Sequence, residues 1–116
     1  MTANADSTDP GPLQLDESVN GHEVSRHVHQ YLELSLGENP TTGFRWQVQL
    51  DGSPACALRS DSNLAPADGG VGRGGTHRFL FEAVRSGTCK IRLAYSRSWE
   101  ANPSDRTLQF RVRVTG

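Results

Sequence analysis

Hydrophobic and polar residues alternate along most of the chain, and this pattern predicts β-strands, because successive side chains of a strand point to opposite faces. The alternation is clearest over residues 32–36, 44–50, 79–83, 89–95 and 108–114. Weaker runs near residues 13–19, 23–28 and 55–59 raise the expected number of strands to seven or eight. The sequence contains no convincing helical period, so an all-β fold is expected.

Each predicted strand has one apolar and one polar face, which is typical of antiparallel sheets that are covered on one side. Two such sheets bury their apolar faces against each other, so we expect an immunoglobulin-like β-sandwich of seven to eight antiparallel strands. Trp46, placed on the third strand, fits the large aromatic residue at the centre of such a core. Cys56 and Cys89 both follow Trp46, so they do not match the disulfide of antibody domains.

Length and charge restrict the classes of protein that the sequence fits. A chain of 116 residues is expected to form one domain, here over residues 13–116, after a flexible polar tail over residues 1–12. The net charge of −1 argues against a nucleic-acid partner, and no apolar run is long enough to span a membrane. Residues 1–11 contain no hydrophobic stretch, so we expect a soluble chain without a signal peptide. The sequence leaves the compartment open: periplasmic or secreted if a leader has been removed, and cytoplasmic otherwise. Nothing in the sequence suggests an obligate dimer, and a monomer is expected.

The cysteines and histidines do not predict a catalytic or metal site. Cys56 and Cys89 can form one disulfide or remain as buried thiols, and their spacing does not decide between these alternatives. His27 and His29 are expected on one face of a strand, but without a third ligand they predict no metal site. The chain also lacks the GxSxG and HExxH motifs. We therefore expect a protein that is not an enzyme and needs no cofactor.

Three long or unusual connections interrupt the strand pattern, over residues 37–43, 61–75 and 96–103. Connections as long as the second are uncommon in compact domains and are usually functional or disordered. Strand direction reverses at each connection, so alternate connections emerge at the same end of a sandwich. If residues 55–59 form a strand, all three loops are expected at one end, as the recognition loops are in variable immunoglobulin domains.

The first of these loops contains a stiff, small and moderately polar segment, Asn39-Pro40-Thr41-Thr42-Gly43. Pro40 fixes its own φ and keeps the residue before it extended, and the two threonines are stiff at χ1. Gly43 permits a positive φ or a close approach of the backbone. A segment preorganised in this way can enter a narrow groove at low entropic cost, although an ordinary stiff turn has the same composition.

The other two loops carry residues that suit contact with a partner. The second contains the segment Gly72-Arg73-Gly74-Gly75. Its glycines allow the backbone of a partner to approach closely, although a loop without function shares this feature. In the third loop Arg97 and Trp99 lie on either side of Ser98, and both are residue types enriched at interface hot spots. Trp99 is therefore either exposed for binding or folded back onto the sandwich edge.

These three loops resemble those of the chagasin-type inhibitors of papain-family cysteine peptidases. That family has NPTTG followed by Tyr or Phe before its third strand, and residues 39–44 match this motif in full, with Phe44 at the last position. Its GxGG motif in a later loop is matched by residues 72–75. Its RPW or RPF motif in the last long loop is matched by Arg97 and Trp99, whereas Ser98 replaces the proline. The three motifs and their strands follow in the same order over residues 32–114.

The resemblance implies an immunoglobulin-like inhibitor that blocks papain or a cathepsin L-like peptidase reversibly and is not consumed as a substrate. It implies that residues 41–43 lie near the catalytic cysteine and histidine of the peptidase. It further implies that residues 74–75 contact one rim of the groove through their backbone, and that Arg97 and Trp99 pack on the other rim. From the residues alone, the alternative is an adhesive or carbohydrate-binding sandwich that uses Trp99 as a stacking platform.

Overall fold

A computed structural model of the chain describes residues 11–38, 43–64, 75–97 and 106–116. In these ranges the chain forms eight strands and one 3₁₀ helix, Glu17–Val19. The strands, in chain order, are β1 (Leu13–Leu15), β2 (Glu23–His27), β3 (Tyr31–Glu38), β4 (Phe44–Asp51), β5 (Cys56–Leu64), β6 (Gly75–Ala83), β7 (Gly87–Arg97) and β8 (Thr107–Thr115). None of the described residues belongs to a helix that is long and apolar enough to cross a membrane. Residues 1–10 of the predicted tail lie outside the described ranges.

The strands form two four-stranded sheets that pack face to face. Sheet one has the order β1-β3-β6-β5, and sheet two has the order β2-β8-β7-β4. In sheet one β6 is antiparallel to both of its neighbours, and in sheet two β7 is antiparallel to both of its neighbours. The all-β sandwich expected from the alternation is therefore confirmed.

Two strand pairs run parallel, which differs from the expected antiparallel pairing. β1 pairs with β3, and β2 pairs with β8, each in parallel. The chain reverses direction at each connection, so strands separated by an even number of reversals point the same way. Alternation indicates which face of a strand is buried, but it does not indicate which strand becomes the neighbour.

Several strands differ from their predicted boundaries, and β3, β6 and β7 extend into the predicted loops as far as Glu38, Gly75 and Arg97. The run at residues 13–19 is a strand only in its first part, because a 3₁₀ turn starts after Asp16, whose carboxylate accepts the Ser18 N–H at 2.9 Å. The run at residues 55–59 forms a strand as expected, but β5 continues to Leu64 and shortens the loop expected at residues 61–75. The last six residues of β5 are exposed, and backbone pairing with β6 rather than a buried face holds them in place.

The core lies between the sheets and consists of the inward-facing residues of the alternating runs. Its large, fully buried side chains include Phe79, Phe81, Phe110, Leu32, Leu34, Leu36, Ile91, Leu93 and Val112. Trp46 is buried among them, as predicted, although its strand is the fourth of the chain rather than the third. This packing fixes the separation of the two sheets and so positions the loops that join them.

His27 and His29 do not share a strand face, contrary to the expectation from their spacing. β2 ends at His27, because the chain turns there towards β3, and His29 lies in that turn with a φ of 81°. The His27 Nδ1 lies 2.9 Å from the Thr115 hydroxyl oxygen, so this imidazole makes a local contact. Across the described ranges, no group of three His, Cys, Asp or Glu side chains could hold a metal ion.

Gly52 and the two cysteines pack tightly after the turn that follows β4. Gly52 has a φ of 84°, and a Cβ built there would lie 2.9 Å from the Cys56 Cβ and 3.2 Å from the Cys89 Sγ. The cysteines are buried free thiols whose sulfur atoms lie 3.3 Å apart, Cys56 in sheet one and Cys89 in sheet two. The hydrogen bond with Cys89, together with burial, raises the pKa of the Cys56 thiol. Of the two alternatives left by the sequence, the structure therefore has the buried thiols.

Candidate functional site

The three connections singled out in the sequence join strands at one end of the sandwich. In sheet one, Glu38 at the end of β3 lies opposite Gly75 at the start of β6, and β5 ends beside them at Leu64. In sheet two, Phe44 at the start of β4 lies opposite Arg97 at the end of β7, and β8 starts at the same end. We call the region of these six strand termini the loop end. The termini are thus arranged as the reversal of strand direction predicts.

The predicted site residues divide between the described strand termini and the segments that join them. The structure describes Gly43, Phe44, Gly75 and the backbone of Arg97, each in or next to a terminal residue of a strand at the loop end. The other predicted site residues lie outside the described residues: Asn39, Pro40, Thr41, Thr42, Gly72, Arg73, Gly74, Ser98 and Trp99. The structure therefore brings together the bases of the three loops.

Gly43 and Phe44 determine how the first loop enters β4. Gly43 has a φ of 83°, in the left-handed region that side-chain-bearing residues rarely adopt, as its sequence context predicts. The half-buried ring of Phe44 stacks against Tyr95 of β7, with a centroid distance of 5.3 Å and an interplanar angle of 21°. The glycine thus permits the turn, and the aromatic contact fixes the start of the strand that follows it.

A group of aromatic rings and one arginine connects the ends of the first and third loops. The Tyr95 ring lies between those of Phe44 and Trp46, with its centroid 5.0 Å from that of Trp46. The Arg106 guanidinium lies 5.3 Å from the Trp46 ring centroid and 5.0 Å from that of Tyr95. It also pairs with Glu17 at 2.7 Å. Arg106 directly follows the undescribed part of the third loop, so these contacts fix the point at which that loop ends.

Glu38, the last residue of β3, bridges the two strands that flank the first loop. Only 3% of its surface is exposed. Its carboxylate accepts the backbone N–H of Trp46 at 2.6 Å and the side-chain amide of Asn63, and it lies 2.9 Å from the His77 Nδ1. The Trp46 indole N–H donates in turn to the Gly37 carbonyl at 3.0 Å. These bonds tie β3 to β4, and hence sheet one to sheet two, at the base of the first loop.

His77 lies between two carboxylates at the base of the second loop. Its ring stacks on Phe79 with a centroid distance of 4.2 Å, its Nδ1 faces Glu38, and its Nε2 contacts the Asp61 carboxylate. Within the described ranges, Glu38 and His77 are the buried polar or charged residues. We call Glu38, Asp61, Asn63 and His77 the anchor cluster, because they join the strand ends from which the first and second loops start.

None of the residues predicted for the site belongs to the anchor cluster, although part of the cluster carries a signal in the sequence. Glu38 continues the alternation of buried leucines in β3, and His77 shares the parity of the buried phenylalanines in β6. An ionisable residue at an apolar position of a strand predicts a buried partner, so parity identifies both residues. Asp61 and Asn63 carry no such signal, because their contacts depend on which strands become neighbours.

Comparison with known proteins assigns the chain to a family. Residues 25–114 match the family model described as "Chagasin family peptidase inhibitor I42". The chain is similar to amoebiasin-1 from Entamoeba histolytica, with 31% identity over 106 residues that cover 88% of this chain and 99% of the relative. It is also similar to chagasin from Trypanosoma cruzi, with 32% identity over 103 residues that cover 85% of this chain and 93% of the relative.

A solved structure has the same fold. The crystal structure of the cysteine protease inhibitor EhICP2 from Entamoeba histolytica matches with a TM-score of 0.80 and 24% identity, over 90% of this chain and 96% of that chain. The resemblance seen in the three loop motifs is therefore confirmed by the family model and by the relatives. With it, the prediction of an inhibitor rather than an enzyme is confirmed. The chain belongs to the chagasin family of cysteine peptidase inhibitors.

Proposed function

We propose that this chain inhibits papain-family cysteine peptidases by occupying their active-site groove with the three loops of the loop end. The observation that carries the proposal is the convergence of the strand termini that flank the three motifs. The proposal goes further than family membership, because it assigns each loop to one part of the groove.

The connectivity supports a central position for the first loop. This loop joins β3 in sheet one to β4 in sheet two, whereas the second joins the neighbours β5 and β6 within sheet one. The third joins the neighbours β7 and β8 within sheet two. The first loop thus crosses the sandwich with one loop on either side. In a groove with two rims, this order assigns residues 39–43 to the groove and residues 72–75 and 97–99 to the rims.

The base of the first loop suits it to act as a wedge. Gly43 turns the chain into β4, and the bonds from Trp46 to Glu38 and to Gly37 hold both ends of the segment. A segment held in this way loses little conformational entropy on binding. Thr41 and Thr42 would then block the catalytic cysteine and histidine without presenting a peptide carbonyl in attack geometry. Cleavage is therefore slow, because covalent attack requires close alignment of the reacting atoms.

The other two loops grip the rims by different chemistry. Gly74 and Gly75 have no side chain to keep a partner strand away, so their backbone groups can bond to one rim. Arg97 and Trp99 supply a cation and a large ring, which are the residue types that dominate many interfaces, to the other rim. The net charge of −1 fits binding that depends on shape and desolvation more than on electrostatic steering.

A peptidase assay tests this function directly. We expect the wild-type protein to inhibit papain competitively against a fluorogenic peptide, and to remain uncleaved after prolonged incubation. Papain whose active-site cysteine has been carbamidomethylated should bind more weakly, because the added group occupies the groove. A serine peptidase of the trypsin type serves as the class control and should remain active. No inhibition of papain at micromolar protein would refute the proposal.

Two arginine variants compare the loop end with a distant surface. Arg97→Ala removes a proposed rim contact, whereas Arg85→Ala changes an exposed arginine in the turn between β6 and β7, at the opposite end of the sandwich. We expect a higher inhibition constant for Arg97→Ala and an unchanged one for Arg85→Ala. Equal inhibition constants for the two variants would argue against the role assigned to the third loop.

A further inference from the structure

The anchor cluster places one histidine between the strand ends of two loops. Glu38 directly precedes the first loop, and His77 lies two residues after the start of β6, where the second loop ends. Asp61 and Asn63 belong to the last part of β5, from which the second loop starts. Through the Trp46 N–H bond of Glu38, the cluster also contacts the strand that follows the first loop. The cluster therefore connects the four strands that flank both loops, and the His77 ring joins its Glu38 and Asp61 sides.

Two carboxylates face the ring nitrogens of His77. Its Nδ1 lies 2.9 Å from a Glu38 oxygen, and its Nε2 contacts an Asp61 oxygen. An ionised carboxylate accepts hydrogen bonds but cannot donate them, so when both carboxylates are ionised, both ring nitrogens carry a proton. The ring is then an imidazolium, and each of its bonds to a carboxylate is charge-assisted.

The surroundings of the ring make the two bonds unequal. The Glu38 side chain is fully buried and that of His77 is 8% exposed, whereas the Asp61 side chain is 49% exposed. Among the described residues, the other groups that contact Glu38 or His77 are the Trp46 N–H from β4, the Asn63 amide from β5 and the Phe79 ring from β6. Water can replace a lost donor at Asp61, but it cannot reach the buried oxygens of Glu38 in the same way.

We propose that the His77 imidazolium is a positioning residue for inhibition, which holds the second loop in register with the first; this inference rests on the proposed function. When the ring loses a proton, it retains one N–H. The remaining N–H stays bonded to Glu38. A buried carboxylate that loses its hydrogen-bond donor costs more free energy than a hydrated carboxylate that loses one. Asp61 then separates from the ring, and the β5 end of the second loop keeps only its backbone pairing with β6 and the Asn63 bond to Glu38, while the first loop stays anchored.

The inhibition constant should therefore follow the charge of the His77 ring. Loss of one charge-assisted hydrogen bond is expected to weaken inhibition about tenfold. Raising the pH removes the proton, so binding is tightest where the ring is charged and weakens as the ring is neutralised. A residue that only stabilised the fold would change the melting temperature without this link to the inhibition constant.

The experiment combines ring spectroscopy with inhibition on the full chain. Histidine labelled with ¹⁵N in the ring reports by NMR whether one or both ring nitrogens of His77 carry a proton at each pH. Inhibition constants against papain are measured at the same pH values for the wild type, for His77→Gln and for the control His27→Gln. His27 lies at the opposite end, against Thr115. At each pH the inhibition constant of a variant is divided by that of the wild type. This ratio removes the effect of papain's own titration, which is the same in both measurements.

We expect a His77→Gln ratio of about ten where the ring is charged, falling towards one in proportion to the charged fraction, and a His27→Gln ratio of one throughout. The melting temperature of each variant, measured at each pH, verifies that the protein is folded during the assay. A neutral His77 ring at the pH of tightest inhibition would overturn the proposal. A ratio that does not follow the measured charged fraction would also overturn it.

A second pair of variants covers the case in which His77→Gln does not fold. Asp61→Asn removes the charge from the half-exposed partner, and Glu82→Gln is its control, because Glu82 pairs with Arg59 away from the loop end. A higher inhibition constant for Asp61→Asn alone supports the proposal, and equal constants for the pair overturn it.

If papain is not inhibited at all, the proposed function fails, but the positioning role of His77 can still be tested separately. The backbone amides of Leu64 and Gly75, at the two ends of the second loop, then report on it by NMR. Amide shifts that change with the same midpoint as the His77 ring support the positioning role. Amide shifts that do not respond to the titration of the ring overturn it.

Discussion

At the loop end, four polar side chains from three strands share hydrogen bonds, whereas at the opposite end two buried thiols and a glycine pack closely between the sheets. Both regions join sheet one to sheet two, through Glu38 and Trp46 in the first and through Cys56 and Cys89 in the second. Hydrogen bonds have narrow limits of distance and angle, whereas apolar burial is non-directional. The first arrangement therefore fixes where a loop starts, and the second mainly keeps the sheets together.

This difference indicates that stability and inhibition can be changed separately. A substitution at the opposite end should lower the free energy of unfolding and leave the inhibition constant of the folded protein unchanged. A substitution at the tip of a loop should do the reverse. The anchor cluster is expected to affect both, because Glu38 and His77 are buried and the cluster also holds the bases of two loops.

Gly52→Ala should have the largest effect on stability. Its φ of 84° strains any side-chain-bearing residue, and the new Cβ would lie 2.9 Å from the Cys56 Cβ and 3.1 Å from the Ile91 Cγ1. Backbone strain and overpacking together should cost about 3 kcal/mol, measured by urea unfolding. Gly21→Ala is the matched control, since its φ is 82° but nothing lies within 4 Å of the new atom. It should cost about 1 kcal/mol, and equal losses for the two variants would contradict this account.

Trp99→Ala, at the loop end, should weaken inhibition without lowering stability. If Trp99 packs on a rim of the peptidase groove, its truncation should weaken binding by about 2 kcal/mol, or roughly thirtyfold in the inhibition constant. The unfolding midpoint should not move. Leu50→Ala is the control, because Leu50 is a hydrophobic residue of β4 that is 45% exposed and lies away from the loop end. A lower unfolding midpoint with unchanged inhibition would instead indicate that Trp99 packs on the sandwich.

Cys56→Ala should have a moderate effect that is confined to stability. The substitution removes a buried sulfur atom that lies 3.3 Å from the Cys89 Sγ, and it leaves a small cavity between the sheets. The expected loss is about 1 kcal/mol in the free energy of unfolding, measured in urea. Inhibition of papain by the folded variant should match that of the wild type. A changed inhibition constant would show that the two ends are coupled, and would contradict the expectation that stability and inhibition can be changed separately.

Asp51→Asn, also at the opposite end, should have the smallest effect. The Ser53 hydroxyl and the Ser53 N–H donate to the Asp51 carboxylate at 2.5 Å and 3.0 Å and lower the pKa of Asp51. A lowered pKa in the folded state adds stability that is present above the ordinary pKa of Asp, near pH 4, and is lost as the pH falls further. The variant should lose less than about 1 kcal/mol near pH 7, because the site is close to solvent. The difference in urea midpoint should shrink in acid, and a difference that grows there would contradict the assignment.

The sequence predicts most of the fold, because alternation directly reports which side chains are buried. The runs in β3, β6 and β8 become the core, with Leu34, Phe79 and Phe110 among its fully buried residues. It does not predict the extension of β5 to Leu64, since those residues are exposed and are held by backbone pairing. It also cannot predict the parallel pairs, because their direction follows from which strands become neighbours.

The candidate site is predictable where a residue has its own signal. Gly43 has the positive φ that its position at the end of a stiff segment suggests. Glu38 and His77 are identifiable from parity alone, as ionisable residues in apolar positions. The pairing of His77 with Asp61 cannot be identified from the sequence, because the two residues are 16 positions apart and meet only when β5 and β6 become neighbours.

β5 forms the outer edge of sheet one, and its polar, exposed residues 60–63 follow a bulge in its pairing with β6. An unpaired edge strand can add a strand from another molecule, and charged or polar side chains and bulges oppose this addition. The residues that support the second loop are therefore also expected to oppose the pairing of this edge with a strand of another molecule.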